Sequence, residues 1–345
     1  MKIDVNAYTI PTASPESDGT FEWDSTTLVA VHASAGGKRG FGYSYADVAT
    51  ASFIKAHFVA LLAERDPMSI ESSWAAMIRA VRNLGRRGVA AMAISAVDAA
   101  LWDLKCKLLG LPLVTLLGQV RDAAPIYFSG GFTSYSIDEL QKQLVGWPLV
   151  KMKVGRDARA DRERVRAVRE AIGDAELFVD ANGAYTRKLA LSQGKFFATQ
   201  DVTWFEEPVS SDDLNGLKFL RDRLEIEIAA GEYGYELLYF EQMLPSVDVL
   251  QADATRCLGI TGFIKTSALC EARGTPLSAH CAPSLHAHAA CALLPLRHIE
   301  YFFDHVRIES RYFDGFVAPV DGAIHPDLSR PGIGVELKAI DLQPL

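Results

Sequence analysis

The sequence predicts an α/β fold in which a TIM-type barrel, modified to seven βα units plus a closing strand, carries an N-terminal α+β capping domain. Three observations lead there. From about residue 124, short apolar runs alternate with helical stretches, which implies parallel βα units. Eight such runs, PIYFSGG, LVKMKVG, ELFVDANG, VTWFEEPV, IEIAAGE, VDVLQAD, PLSAHCA and HIEYF, follow one another at steps of roughly 20 to 30 residues. Charged side chains sit at or near the C-terminal ends of these runs, where barrels of this class carry their chemistry. The expected division is a capping domain over 1–122, a barrel over 123–320, and a segment 321–345 returning toward the cap.

The first part reads as a β-meander: a strand around IDVNAYTI, a polar loop PTASPESDGTFEWDS, a strand TTLVAVHAS, a turn at GGKRG, then GFGYSYA. Gly36, Gly37, Gly40 and Gly42 read as hairpin punctuation, since no GK[ST] follows to make a phosphate loop. Residues 46–118 turn helical, most clearly in AISAVDAALWDLKCKLLG, where Ile94, Val97, Leu101, Leu104 and Leu108 recur at helical steps and Gly110 marks the end. Asp98 and Trp102 of this helix are expected to make domain contacts.

Composition excludes several classes. With 49% apolar and 23% charged residues the chain suits an ordinary folded protein, and its formal charge of −8 leaves no basic stripe for nucleic acid. Five cysteines, odd in number and without a CxxC pair, argue against a disulfide framework or structural zinc. Asp4 and Asn6 interrupt the apolar run a signal peptide needs, so a cytoplasmic protein is expected. Residues 274–296 lack Asp, Glu, Lys and Arg, but three prolines and three histidines exclude a membrane helix.

The barrel strands carry the chemistry. In VKMKVG, Lys151 and Lys153 share one strand face, opposite Val150, Met152 and Val154. Asp180, Glu206 and Glu232 follow on three consecutive strands at steps of 26 residues, so they become neighbours around the rim. Three converging carboxylates repel unless a cation joins them, and an oxygen-only set suits Mg²⁺. Asp253, His280 and Glu300 follow on the sixth, seventh and eighth strands. Glu207, next to Glu206, is expected on the opposite face, and His286 and His288 as packing residues. Arg256 suits either a substrate carboxylate or a neighbouring acid.

KMK, VDAN, WFEEP, AAGE, QAD followed by GIT, and SAH followed by a late Glu together resemble the enolase superfamily, specifically its mandelate racemase subgroup. The resemblance covers nearly the whole chain. It implies that Asp180, Glu206 and Glu232 ligate Mg²⁺ and that Asn182 lies near the substrate. Lys153 then matches a base with Lys151 beside it, His280 and Asp253 a dyad, and Glu300 a carboxylic acid at the substrate's carboxylate. Chemistry agrees: removing a proton α to a carboxylate places a second negative charge on that group, which a metal and nearby cations must take up. Lys153 must be neutral to act, and Lys151 and Mg²⁺ disfavour its charged form. Family frequency favours dehydration of a sugar acid to a 2-keto-3-deoxy acid. A racemase, epimerase or cycloisomerase is the alternative, and a non-catalytic carbohydrate-binding protein a remote one. Specificity is expected from cap loops at 11–25 and 41–47, through Trp23, Tyr43 and Tyr45. A homo-oligomer, from dimer to octamer, is expected.

Overall fold

The computed structural model describes residues 1–338, so the end of the expected returning segment, 339–345, lies outside the described residues. The cap begins with an antiparallel sheet of β1 (Lys2–Ser17), β2 (Glu22–Ala35) and β3 (Lys38–Tyr45), in that order. The polar loop expected at 11–25 is instead mostly strand. β1 and β2 pair from Lys2↔Ser34 to Pro11↔Ser25, and pairing resumes at Glu16↔Trp23 after an irregularity. The turn is tight because Asp18 accepts hydrogen bonds from the N–H groups of Thr20 and Phe21, at 2.6 and 2.7 Å. Sequence polarity hid the strands because much of this hairpin faces away from the apolar core.

Gly36 and Gly37, with φ of 55° and 71°, form the next turn as expected. Gly40 and Gly42 do something else: a Cβ on either would lie 2.3 Å from the backbone of Ala100. They let β3 lie directly on the helix Val89–Leu109. This helix is buried over most of its length and ends at Gly110, whose φ is 70°. Its Asp98 accepts from the backbone N–H and the hydroxyl of Thr261, and Trp102 donates to the same hydroxyl, joining cap to barrel. Asp103 accepts from the N–H groups of Phe41 and Ile333, so the C-terminal segment reaches the cap helix.

The barrel strands are β4 (Ala124–Gly130), β5 (Leu149–Lys153), β6 (Glu176–Asp180), β7 (Val202–Glu206), β8 (Glu227–Ala230), β9 (Val249–Ala252), β10 (Leu277–Ala279) and β11 (Leu296–Phe302). Each pairs in parallel with the next, and β11 pairs with β4 to close the ring. A helix, Phe303–Tyr312, follows the closing strand and packs beneath the cap. Inside the barrel, Tyr127, Phe178 and Trp204 form an aromatic floor with ring centroids 5.0 to 5.8 Å apart. Lys151 is level with Phe178 in the ladder, and Lys153 with Asp180, so one lysine rises from the floor and the other stands at the rim. Among the described residues, no helix is long and apolar enough to cross a membrane.

Candidate active site

The ends of β5 to β11 deliver their charged groups to one buried cluster. Lys151, fully buried, places Nζ 2.7 Å from both carboxylate oxygens of Glu206, 2.8 Å from Glu300 and 5.2 Å from the ring centre of Tyr127. Burial opposes its charge, but Glu206 and Glu300 outweigh burial and hold it protonated. Lys153 Nζ lies 2.5 Å from Asp180. Burial opposes this charge too, and Lys151 adds to that, yet Asp180, with Glu232 and Glu206, prevails and raises the pKa. The protein's own groups therefore favour the charged form of Lys153.

Asp180, Glu206 and Glu232 are all buried, and one oxygen from each lies within 4.8 Å of the others. Burial and the charge of Asp180 raise the pKa of Glu206, the expected mark of carboxylates crowded together. Glu232 Oε2 is buried without a well-formed hydrogen bond, with His280 Nε2 3.0 Å away. An orphaned buried oxygen in an oxygen-only set fits a hard divalent cation such as Mg²⁺.

On the other side, His280 Nδ1 lies 2.9 Å from Asp253 Oδ2. Burial disfavours the imidazolium, but Cys281, Glu232, Glu300 and Asp253 outweigh it and raise the pKa. β5 and β10 stand three strands apart through β4 and β11, so Lys153 and His280 enter from opposed parts of the rim. Both line a cavity of about 470 Å³ between barrel and cap.

The structure modifies several expectations. Glu300 accepts from the Cys281 N–H at 3.1 Å; burial favours its neutral form, while Lys151 and His280 lower its pKa. Glu207, expected on the face opposite Glu206 as an outer or supporting group, is buried at a left-handed backbone φ of 36°, and burial and Glu232 raise the pKa of its carboxyl. Arg256 is drawn to acids, 3.5 Å from Glu232 and 3.7 Å from Asp253, with Tyr233 beneath it, while still lining the cavity.

Of the three cap aromatics, Trp23 and Tyr45 line the cavity, and Asn182 lines it from the barrel. Tyr43 does not. It shares a strand face with Tyr45 and the same acceptor, Glu309, but stands one step further from the end of β3, fully buried, donating to Glu309 at 2.7 Å and accepting from the Leu285 N–H. Cys281, Asp304 and His305 also line the cavity and were not anticipated. The FDH run, closely following Glu300, was the available signal, since barrel sites draw on the segment after each strand. Cys281 sits at φ 52° with its sulfur 3.2 Å from His280 Nε2 and 3.3 Å from Glu300. Burial and Glu300 push its thiol pKa up, so it remains a protonated donor. His286 and His288 are buried outside the cavity, His286 accepting from the Ala254 N–H.

The sequence matches two family models, the mandelate racemase / muconate lactonizing enzyme N-terminal domain over residues 6–118 and the enolase C-terminal domain-like family over 136–341. A mandelate racemase/muconate lactonizing enzyme-like protein from Rubrobacter xylanophilus is 52% identical, with a TM-score of 0.96 over 98% of this chain and 96% of that one. A racemase from Streptomyces coelicolor, solved with bound magnesium, is 32% identical, with a TM-score of 0.92 over 97% and 96%. The L-talarate/galactarate dehydratase of Salmonella typhimurium is 36% identical over 315 residues, 85% of this chain and 79% of that protein. With both family models matched in order, the chain belongs to the mandelate racemase/muconate lactonizing enzyme family of enolase-like barrels.

Proposed function

We propose that the protein is a Mg²⁺-dependent enzyme that removes the proton α to a carboxylate and dehydrates a sugar acid to a 2-keto-3-deoxy acid. The observation that carries this reading is that Lys153 and His280 enter one cavity from opposed parts of the rim, beside the carboxylates of Asp180, Glu206 and Glu232. Those three carboxylates would hold Mg²⁺, which when bound neutralises them and polarises the substrate carboxylate. Burial and Lys151 favour the neutral amine at Lys153, and a cation held by these carboxylates would weaken their opposing pull.

Lys151 remains charged by Glu206 and Glu300 and stabilises the negative charge that develops on the substrate carboxylate. Asp253 orients the imidazole of His280 through Nδ1, leaving Nε2 to exchange a proton with the substrate. One of Lys153 and His280 takes the α-proton; the other gives a proton to the departing β-hydroxyl, which leaves as water. The dehydratase similarity favours this outcome.

A second reading is isomerisation. Two proton-carrying groups on opposed sides of one carbon also permit racemisation, epimerisation or cycloisomerisation, and the magnesium-bound relative is a racemase. Incubation with Mg²⁺ and a library of sugar acids, with assays for 2-keto acid and for α-proton exchange in D₂O, separates the readings. Keto acid supports dehydration, and exchange without keto acid supports isomerisation. Absence of exchange on every acid, with Mg²⁺ bound, points to a binding protein.

A further inference from the structure

We propose that the substrate is a monocarboxylate with an uncharged, hydroxyl-bearing tail, and that the cap end of the cavity rejects the corresponding dicarboxylates. This inference rests on the proposed α-proton abstraction and narrows its substrate class. Among the described residues, the cationic side chains lining the cavity are Lys153, Arg256 and, when protonated, His280, and all three stand at the barrel end. Lys153 is on Asp180, and Arg256 is held by Glu232 and Asp253 over Tyr233. The cap end presents Asp18, Asp47 and Asp304, together with Thr26, Thr27 and Tyr45.

His305 does not supply a cation there. Its Nδ1 faces the Ala282 N–H at 3.3 Å and so acts as acceptor, which fixes the neutral tautomer, and its ring stacks on Tyr45 with centroids 3.5 Å apart. Arg307 is committed to Asp304, with Nη2 at 2.6 Å and Nε at 3.1 Å. The three aspartates are partnered as well: Asp18 by the Thr20 and Phe21 N–H groups, Asp47 by the Ala49 N–H, and Asp304 by Thr26 and Arg307. They keep spare lone pairs for hydroxyl donors but have no donor to give a second carboxylate. A dicarboxylate oriented by its reacting end would therefore face like charge without a counter-ion.

The test compares kcat/KM, or the rate of α-proton exchange in D₂O, for five- and six-carbon aldonates and for the aldarates of the same sugars, using the wild-type enzyme with Mg²⁺. Aldonates are expected to exceed aldarates by roughly 100-fold, with aldarates poor competitive inhibitors. Equal or better use of an aldarate overturns the inference while leaving proton abstraction intact. Exchange confined to an ammonium-bearing acid, such as a dipeptide, also overturns it. Exchange with no acid overturns the proposed function itself.

Discussion

His280 Nδ1 lies 2.9 Å from Asp253 Oδ2, at the ends of neighbouring strands, and Asp253 is itself fixed by the Thr255 N–H at 2.7 Å. The carboxylate sets both the tautomer and the orientation of the ring. Asp253→Asn is expected to lower kcat by about 10² to 10⁴-fold while leaving the fold and Mg²⁺ affinity unchanged. Steady-state kinetics with a pH profile, alongside magnesium titration calorimetry, checks this; an unchanged kcat would remove the dyad from the mechanism.

Lys153→Ala should abolish α-proton exchange for at least one stereoisomer of the substrate, by about 10³-fold or more. Lys153→Arg should not rescue it, since a guanidinium does not deprotonate. Following exchange by NMR for each stereoisomer, in this variant and in His280→Ala, shows which face of the substrate each group meets.

Glu232→Gln replaces an oxygen of the proposed metal set with an amide and weakens Mg²⁺ binding. In the wild type, Mg²⁺ at a hundredfold excess over its Kd should stabilise the fold by about 2.7 kcal/mol, visible as a higher Tm. The variant should show little of this rise, and chelation should abolish activity in the wild type. A Tm rise of wild-type size in Glu232→Gln would remove this residue from the metal set.

Tyr43→Phe tests the buried, non-cavity role of Tyr43 on β3. Because Tyr43 donates to buried Glu309 and accepts from the Leu285 N–H, the change should cost about 1–3 kcal/mol of stability. KM should stay near wild type. Trp23→Ala, at the cavity wall, should instead raise KM. Denaturant titration and kinetics on the two variants separate the roles.

Asp98 links pH to stability. Burial raises its folded pKa from 3.8 to about 7, so between these values the folded state retains a proton that the unfolded state has lost. The contribution of Asp98 to stability accordingly falls as pH rises from about 4 to 7 and is flat beyond. Asp98→Asn should reduce the loss of Tm between pH 4.5 and 7.5. An identical pH dependence in wild type and variant would show that Asp98 ionises normally.

The barrel, its eight strands and the order of charged residues along them were legible in the residue pattern alone. Apolar runs must be buried, and a side chain at a strand end reaches the rim without further information. Lys151, Lys153, Asp180, Glu206, Glu232, Asp253, His280 and Glu300 could therefore be read from spacing and motif. Which lysine faces which acid was left to tertiary packing: Lys151 joins Glu206 and Glu300, while Lys153 meets Asp180. Packing also turned Tyr43 into the core and brought Asp304 and His305 to the cavity. Those outcomes depend on the register of the cap hairpins and on the helix after the last strand. Contacts between elements far apart in the chain set both, and local residue patterns do not encode them.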